Sequence, residues 1–492
     1  MPESNKSIFL FTASLGVLLL GTLGASKYGL LGSWEFNSPY LSSIFDSKEN
    51  QIDSHPLDDE VSTKILKKDS QIAVVVEQGS IYGGKPLHRE HWIKVKLRET
   101  EKAQYDSMLR SIKFLSFTEE GPNSMQAFFE KLSESKQELN RIWYFGDSQI
   151  EGDRITSEIR RIFQSQYGGN GIGYVPLSNP ATYSILELDE PQNANWKKLN
   201  CFRDKKKFSL FGPSGQAFVS TSTKSVEFRG FGIKINKALN YQKLLVQTLP
   251  DSLGELQWKR AKDSTWKLAR KTIKSKFLQE FLVTDTPIIG KVNFRYRAIN
   301  PIVYGYSIES QNKGVQVDNM GIRGHSGDGL SNINSTLLIE ESQRQNVSLI
   351  VLHYGNNMVP YIKIDGSQEK WVKNIFRNII SKYQKCCPNT SILLVGPGDM
   401  GFRAGGEMKN YESCILLNRW MQEVAQEKNI SFFDFYGYMV ESGGILEWQK
   451  KGLASLDGHL SPSGQRAFAR TFTRELNGAK ACYFLSTGKN ND

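Results

Sequence analysis

The sequence predicts an α/β protein with a doubly wound parallel sheet and an inserted antiparallel β-sandwich. From residue 303 onward, short apolar runs alternate with segments of helical periodicity, a pattern typical of a parallel sheet covered by helices. Upstream, residues 205–303 contain closely spaced β-rich runs separated by turn residues, which is typical of a small antiparallel sandwich. Because a strand–turn–helix unit precedes these residues, we interpret the β-rich stretch as an insertion into the α/β domain.

The N-terminal segment predicts an exported protein. Residues 8–25 form a long apolar stretch that contains Gly, Ser and Thr, with Lys6 before it and Lys27 after it. Its length is at the short end for a membrane span and also fits the apolar region of a signal peptide. We therefore expect residues 1–27 to be a signal peptide or a membrane anchor, and the sequence does not distinguish the two. Residues 28–120 are polar at first and then contain short strand-like runs, so we interpret them as a tether and a small β-containing segment.

The composition of the 492-residue chain indicates ordinary globular domains, because 39% of the residues are hydrophobic and 23% are charged. The formal net charge is +11, but the lysines are spread along the chain, which argues against a nucleic-acid-binding module. A diffuse positive field still favours an anionic surface or polymer as a partner. The five cysteines have no metal-ligand spacing, and one or two disulfides among them are an alternative that the sequence does not assign. No motif in the sequence implies a metal or an organic cofactor.

The first candidate site residue follows an early apolar run. The run at 142–145 stops at Gly146, Asp147 and Ser148, and apolar residues then return at helical spacing. This pattern predicts a strand, a tight turn and a helix, with Ser148 on the turn. A serine becomes a good nucleophile when a base removes its proton, and N–H groups near a helix N-terminus stabilise a developing oxyanion. The alternative is that these residues form only a turn or a helix cap.

The inserted β-rich stretch carries aromatic residues that would allow it to bind glycans. Trp258, Trp266 and Tyr241 are available for such contacts. The alternative, which the sequence favours, is that these side chains belong to the core of the sandwich.

The α/β pattern continues after the insertion. Apolar runs typical of buried parallel strands lie at 347–354, 391–395 and 430–435. Helical periodicity is present at 371–383, 416–425 and 467–476. In such a sheet, sites lie at the carboxyl ends of the strands, so polar residues that follow the strands are the candidates for function.

Polar residues of the types required for acyl transfer follow three predicted strands, and a further pair lies just before the last predicted helix. In chain order they are a serine, a glycine, an asparagine and an Asp/His pair: Ser148, Gly324, Asn357, Asp457 and His459. Together they can supply a nucleophile, oxyanion donors, and a general base with its orienting carboxylate.

This order resembles the four motif blocks of the SGNH (GDSL) hydrolase superfamily, over residues 142–177 and 303–475. More narrowly, the segments GDSQIEGDRIT, YGGNGIGYVPL and DNMGIRG, together with the β insertion, are similar to exported proteins that add or remove O-acetyl groups on peptidoglycan and related glycans. The resemblance implies an SGNH-type domain in two parts, residues 121–204 and residues 304–492, on either side of the insertion.

The resemblance also implies a role for each candidate residue. Ser148 would be the nucleophile, His459 the general base and Asp457 the residue that orients His459. The oxyanion hole would consist of the Ser148 N–H, the Gly324 N–H and the side chain of Asn357.

The last motif block is one residue shorter than the usual Asp-x-x-His. Asp457 and His459 are two positions apart, and this spacing places side chains on opposite faces of an extended segment. A turn at Gly458 would let them converge. The alternatives are a Ser–His dyad in which a backbone carbonyl orients His459, and replacement of Asp457 by Asp434.

Four neighbouring residues have structural interpretations beside functional ones. His325 would line the acyl pocket or be a hydrogen-bonded loop residue, and we expect the latter. We expect His353 in the core and Asp147 hydrogen-bonded to its own loop. Arg323 is interpreted equally well as a contact for an anionic substrate group or as an exposed arginine.

The sequence-based hypothesis is an exported serine esterase or acyltransferase, periplasmic or at the cell surface, that acts on O-acetyl groups of cell-wall or extracellular polysaccharide. Its partners would be that polysaccharide, the membrane through the N-terminal segment, and a membrane acetyl-donor protein. The sequence does not decide between transfer to water and transfer to a sugar. A lipid esterase or lysophospholipase is an alternative that needs an apolar acyl channel, which the Gly-rich segment 167–173 does not suggest. A catalytically silent glycan-binding protein is the other alternative.

Overall fold

The structure is a computed structural model. It describes residues 99–118, 121–177, 188–189, 196–220, 226–229, 232–233, 243–248, 254–271, 279–282, 292–298, 302–309 and 313–488. The expected signal peptide or anchor at 1–27 and the tether lie outside the described residues. Among the helices that the structure describes, none is both long enough and apolar enough to cross a membrane.

The secondary structure alternates between strands and helices at both ends of the described chain. The strands are β1 (Leu115–Ser116), β2 (Leu139–Gly146), β3 (Gly173–Val175), β4 (Leu188–Asp189), β5 (Trp196–Asn200), β6 (Gln216–Ser220), β7 (Val226–Arg229), β8 (Gly232–Ile233), β9 (Lys243–Thr248), β10 (Gly254–Arg260), β11 (Lys267–Lys271), β12 (Gln279–Leu282), β13 (Val292–Ala298), β14 (Ile302–Glu309), β15 (Gly314–Gly321), β16 (Val347–His353), β17 (Ser391–Val395), β18 (Gly401–Ala404), β19 (Glu407–Asn410) and β20 (Ser431–Phe433). The α-helices are α1 (Glu99–Ser111), α2 (Gln126–Ser133), α3 (Arg154–Tyr167), α4 (Ser335–Arg344), α5 (Glu369–Cys386), α6 (Ser413–Glu427), α7 (Phe435–Glu441), α8 (Gly444–Lys450) and α9 (Pro462–Thr487).

The main sheet has six strands in the order β1-β20-β17-β16-β2-β15. All neighbours pair in parallel except the short edge strand β1, which is antiparallel to β20. The central strand β16 is buried along its whole length, as expected for a strand covered by helices on both faces. This sheet confirms the predicted α/β class, and strands β16 and β17 coincide closely with two of the apolar runs.

The register of the central strands brings their carboxyl ends together. Gly146, the last residue of β2, is opposite Gly321 of β15 and His353 of β16. The loops that follow these three strands therefore leave the sheet at one edge, where sites in such folds lie.

Helices cover the sheet and enclose its core. Helix α9 packs against α1 and α3, and α5 packs against α4 and α6. Aromatic and aliphatic side chains from the sheet and the first group of helices form one buried cluster, with Phe468 and Phe472 of α9 stacked at a ring-centroid distance of 5.6 Å. This packing fixes the segment before α9, which carries the Asp/His pair.

Two elements lie upstream of residue 121, where we expected the first part of the α/β domain to begin. Helix α1 packs on α9, and β1 pairs with β20, so both belong to the packed unit. The third apolar run also differs from expectation, because β20 ends at Phe433. Asp434 caps α7 instead, its Oδ1 accepting a hydrogen bond from the Gly437 N–H at 2.7 Å.

The inserted region forms antiparallel sheets, which confirms that part of the prediction. One has the order β11-β10-β13-β7, and the other has the order β12-β9-β14-β6-β5 with β3 paired to β14. Strand β14 leads directly into β15 of the main sheet. At this junction the buried Arg141 of β2 forms ion pairs with Asp318 of β15, at 2.8 Å, and with Glu309 of β14.

Candidate active site

Ser148 lies on a tight turn immediately after β2. The Asp147 carbonyl accepts hydrogen bonds from the N–H groups of Ile150 and Glu151, which close the turn. Gly146 has no room for a side chain, since a Cβ there would lie 2.9 Å from the His353 carbonyl oxygen. The turn closed on the Asp147 carbonyl and the close approach of β16 to Gly146 therefore hold the serine at the carboxyl edge of the sheet.

The structure brings Ser148, His459 and Asp457 together in one chain of hydrogen bonds. Ser148 Oγ lies 2.7 Å from His459 Nε2, and His459 Nδ1 lies 2.9 Å from Asp457 Oδ2. The Ser148 and His459 positions are 311 residues apart in sequence, and the fold makes them neighbours. This is the geometry of a nucleophile, a general base and an orienting carboxylate.

The Asp457–His459 contact depends on a turn at Gly458. Gly458 has φ = +84°, a conformation that glycine adopts at low cost. Ser455 closes the turn, since its N–H donates to the His459 carbonyl at 2.9 Å. The short block Asp-Gly-His thus places both side chains on the same side. Hydrogen bonding from the His459 ring is the main cause that lowers the pKa of Asp457 below its usual range.

Gln149 joins the turn of the serine to the turn of the histidine. Its Nε2 donates to the Gly458 carbonyl at 2.7 Å, and its Oε1 accepts from the Leu460 N–H at 3.4 Å. The side chain is buried, so these two bonds hold the backbone on both sides of His459. Sequence reasoning missed this residue. The signal was an amide side chain in the position directly after Ser148.

The three expected oxyanion donors come from the three neighbouring loops. Among the described residues, no acceptor pairs with the backbone N–H of Ser148 or with that of Gly324. Asn357 Nδ2 donates to Asp147 Oδ2 at 2.7 Å and to the His325 carbonyl at 3.3 Å. The Asn357 amide therefore lies against the residue before Ser148 and the residue after Gly324.

Asp147 is a buried carboxylate at the centre of these loops. Its Oδ1 accepts from the Gln149 N–H at 2.9 Å, as expected for an Asp in a tight turn, and its Oδ2 accepts from Asn357. Burial raises the pKa of Asp147 to about 6, and the two hydrogen bonds oppose that shift. The contact with Asn357 was not predicted from the sequence.

The two histidines that we expected to be structural are both buried. His325 Nε2 accepts from the Gly329 N–H at 3.1 Å, and its ring stacks on Phe202 at 4.7 Å. His353 Nδ1 lies 3.0 Å from the Tyr144 hydroxyl oxygen, inside the core. Burial lowers the pKa of each to about 3, so both rings are neutral at physiological pH.

The alternative orienting residue, Asp434, is engaged elsewhere. Its Oδ1 accepts from the Gly437 N–H and from Asn418 Nδ2, at 2.7 and 3.0 Å. These bonds cap α7 and hold α6, so the carboxylate that pairs with His459 in the structure is Asp457.

The two described tryptophans of the insertion are less buried than we expected. Trp258 and Trp266 are half-buried rather than core residues. Each has a cation on its ring: Lys267 Nζ lies 5.2 Å from the Trp258 ring, and Arg295 Cζ lies 4.3 Å from the Trp266 ring. Tyr241 lies outside the described residues.

Neither a metal cluster nor a disulfide is present in the described part of the chain. No group of three His, Cys, Asp or Glu side chains there could hold a metal ion. The five cysteines are all described, and all are free and buried.

The fold and the Ser148–His459–Asp457 arrangement resemble those of SGNH-type hydrolases. Residues 303–467 match the model of the GDSL-like lipase/acylhydrolase family, a range that includes Gly324, Asn357 and the Asp/His pair. This match confirms the predicted resemblance to the SGNH (GDSL) superfamily.

A solved structure shares the fold of this chain. A structure described as a peptidoglycan O-acetylesterase in action is 18% identical, with a TM-score of 0.58, covering 75% of this chain and 99% of that chain. An acetyl xylan esterase (19% identity, 32% of this chain, 80% of that chain, TM-score 0.26) and an acetylxylan esterase from Geobacillus stearothermophilus (20% identity, 34% and 74%, TM-score 0.25) also match. A search of curated proteins gives no significant match.

Proposed function

We propose that the protein is an exported serine enzyme that removes or transfers O-acetyl groups on cell-wall or extracellular polysaccharide. The observation that carries this proposal is the continuous chain of hydrogen bonds from Ser148 Oγ through the His459 ring to the Asp457 carboxylate. Ser-His-Asp arrangements of this kind perform acyl transfer on several unrelated folds.

In the first half of the reaction, His459 Nε2 takes the proton of Ser148 as Oγ attacks the carbonyl carbon of the acetyl ester. Asp457 accepts a hydrogen bond from the Nδ1–H and stabilises the imidazolium that forms. Collapse of the tetrahedral intermediate breaks the ester C–O bond. His459 returns the proton to the departing sugar oxygen, and acetyl-Ser148 remains.

The oxyanion of the intermediate would accept hydrogen bonds from the Ser148 N–H, the Gly324 N–H and the Asn357 amide. The first two have no competing acceptor among the described residues. Asn357 already donates to two acceptors, and the longer bond, to the His325 carbonyl at 3.3 Å, is the one that the oxyanion would replace. The shorter bond, to Asp147, would keep the amide in place. Such pre-positioned donors contribute about 3 kcal/mol each to stabilising the transition state.

In the second half, His459 activates the acceptor that attacks acetyl-Ser148. Water as the acceptor gives acetate and makes the protein an esterase, whereas a sugar hydroxyl gives a new O-acetyl ester and makes it a transferase. Both outcomes use the same residues and differ in how well water is kept from the acyl-enzyme. Export, attachment through the N-terminal segment and a membrane acetyl-donor protein belong to this proposal.

The test follows loss of the acetyl group from p-nitrophenyl acetate, as released p-nitrophenol, and from an O-acetylated glycan, with wild type beside Ser148→Ala. We expect turnover that Ser148→Ala abolishes. Acetate as the product would identify an esterase, whereas turnover that requires a sugar acceptor and leaves the acetyl group on that sugar would identify a transferase. A folded wild-type protein that deacetylates no substrate, with or without an acceptor, would overturn the proposal.

A further inference from the structure

Asn319, near the end of β15, bonds to both loops that carry the expected backbone donors of the oxyanion hole. Its Nδ2 donates to the Ile150 carbonyl at 2.5 Å, and Ile150 follows Ser148 by two residues. Its Oδ1 accepts from the Gly321 N–H at 3.0 Å, and Gly321 precedes Gly324 by three residues. One amide side chain therefore connects the turn of the serine to the start of the second donor loop.

The two loops lie against each other at this point, and further contacts join them. A Cβ on Gly321 would lie 3.0 Å from the backbone nitrogen of Glu151, so a larger residue there would push the loops apart. The Ile322 N–H donates to the Gly146 carbonyl at 3.0 Å. Arg323, whose side chain is 59% exposed, forms an ion pair with Glu151 at 2.7 Å. Because an ion pair with an exposed partner contributes little, the backbone and amide contacts dominate this junction.

The Asn319 amide is held in one orientation by a buried polar network. Its Nδ2 also donates to Thr156 Oγ1 at 2.7 Å, and the Thr156 hydroxyl donates to Asp153 Oδ1 at 2.6 Å. Arg160 forms an ion pair with Asp153, with N–O distances of 2.7 and 2.8 Å, and both side chains are buried. Since the Ile150 carbonyl can only accept, a flipped Asn319 amide would bring two oxygens together there. The Asn319 side chain is therefore pre-positioned.

We propose that Asn319 is a positioning residue that keeps the N–H groups of Ser148 and Gly324 at the spacing that one oxyanion requires. The inference rests on the proposed function, because it concerns the donors assigned to that reaction. Oxyanion donors act when they lie about 2.7–3.1 Å from the developing charge, and a misplacement of about 1 Å can cost about 100-fold in rate. Asn319 bonds to Ile150 and Gly321, so loss of its amide would let the two donor loops move apart.

The first test is steady-state turnover of p-nitrophenyl acetate by Asn319→Leu, which removes the amide but is similar in size. We expect kcat to fall about 10- to 100-fold with KM changed less than about twofold, because the donors act on charge that develops only in the transition state. Asn140→Leu is the matched control, since Asn140 is an amide of the same sheet that accepts from Ser348 Oγ near the amino end of β2. It should lose stability and keep the wild-type kcat.

Thr156 offers a milder variant, which keeps the proposal testable if Asn319→Leu does not fold. Thr156→Val removes the hydroxyl that accepts from Asn319 with little change in size, and it should lower kcat about threefold to tenfold. Thr156→Ser keeps the hydroxyl and should restore most of the wild-type kcat. A Thr156→Ser variant as slow as Thr156→Val would contradict the proposal.

The second test is inhibition by methylboronic acid, which reports on the oxyanion hole without turnover. Ser148 Oγ bonds to boron, the serine proton passes to His459 Nε2, and a boron-bound oxygen takes the place of the oxyanion in a tetrahedral adduct. Because such an adduct mimics the transition state, its affinity depends on the spacing of the donors. Asn319→Leu should raise the inhibition constant about 10-fold or more, whereas Asn140→Leu should leave it unchanged.

The outcomes separate this inference from the proposed function. A folded Asn319→Leu variant with the wild-type kcat and inhibition constant would overturn the positioning role and leave the enzyme proposal standing. Equal losses in Asn319→Leu and Asn140→Leu would also overturn it, because they would reflect a general loss of stability. A wild-type protein that neither turns over p-nitrophenyl acetate nor binds methylboronic acid would overturn both proposals.

Discussion

The Asp457 carboxylate lies 2.9 Å from His459 Nδ1, although only one residue separates the two in sequence. In an extended strand, this spacing would place the two side chains on opposite faces. The left-handed conformation of Gly458, with φ = +84°, turns the chain so that the two side chains meet. A motif block one residue shorter than the usual one thus retains the hydrogen-bonded arrangement of a triad.

Replacing Asp457 by Asn should lower kcat about 100-fold or more, because Asn cannot stabilise the imidazolium and favours the wrong tautomer of His459. The measurement is steady-state turnover of p-nitrophenyl acetate. Asp434→Asn is the control, since Asp434 caps α7. Because Asn caps a helix about as well as Asp, this variant should change stability little and change kcat of the folded protein less than about twofold. The opposite ranking of the two variants would show that Asp457 is not the orienting residue.

Replacing Gly458 by Ala should reduce turnover. The added Cβ would lie 2.8 Å from Met400 Cγ and 3.0 Å from Asn356 Nδ2, and it would occupy a left-handed conformation. Gly452→Ala is a matched control, because Gly452 also has a positive φ, +66°, but a Cβ there meets no atom within 4 Å. Both variants should lose about 1 kcal/mol of stability from backbone strain. Only Gly458→Ala should lose activity, and equal kcat values in the two variants would contradict the role of this turn.

Replacing Gln149 by Leu should lower both stability and kcat. The substitution leaves the Leu460 N–H and the Gly458 carbonyl without partners, at about 1–3 kcal/mol for each unsatisfied group. It also releases the backbone on both sides of His459. Gln164→Leu serves for comparison, since Gln164 Nε2 likewise donates to two backbone carbonyls, at 3.2 and 3.1 Å, at the far end of α3. That variant should lose stability with little change in kcat. Equal loss of kcat in both would show that Gln149 acts only on stability.

The titration of Asp147 should be measurable as a pH dependence of stability. Its pKa is about 6 in the folded protein because of burial, and about 3.9 in an unfolded chain. The folded state therefore binds the proton more tightly, so the stability associated with this group is greatest below about pH 4 and is lost as the pH rises to about 6. Relative to Asp147→Asn, the free energy of unfolding of wild type should fall by about 2 to 3 kcal/mol between pH 4 and pH 7. Urea denaturation of both proteins measures this difference, and a difference that rises with pH would contradict the assignment.

Much of the fold could be predicted because its signals are local. Strands β16 and β17 are continuous apolar runs, and α5 and α6 have a clear helical period, so their positions follow from pattern alone. The end of β20 could not be placed in this way. Asp434 reads as part of an apolar run, and its role as a helix cap depends on the chain direction after it.

In the candidate site, too, some residues could be predicted from the sequence and others could not. Ser148, Asn357 and His459 could be selected from residue type and order, because Ser148 and Asn357 follow predicted strands and His459 precedes the last predicted helix. The contacts of Gln149 and Asp147 could not be predicted, because their partners lie on loops that only the folded sheet brings together.

The central claim is that Ser148 is a nucleophile activated by His459, and labelling with a fluorophosphonate probe tests it most directly. Peptide mapping of the labelled wild-type protein should locate the probe on Ser148. Ser148→Ala should take up no label, and His459→Ala should label far more slowly. A folded wild-type protein that takes up no label, or that carries it on another residue, would contradict the account.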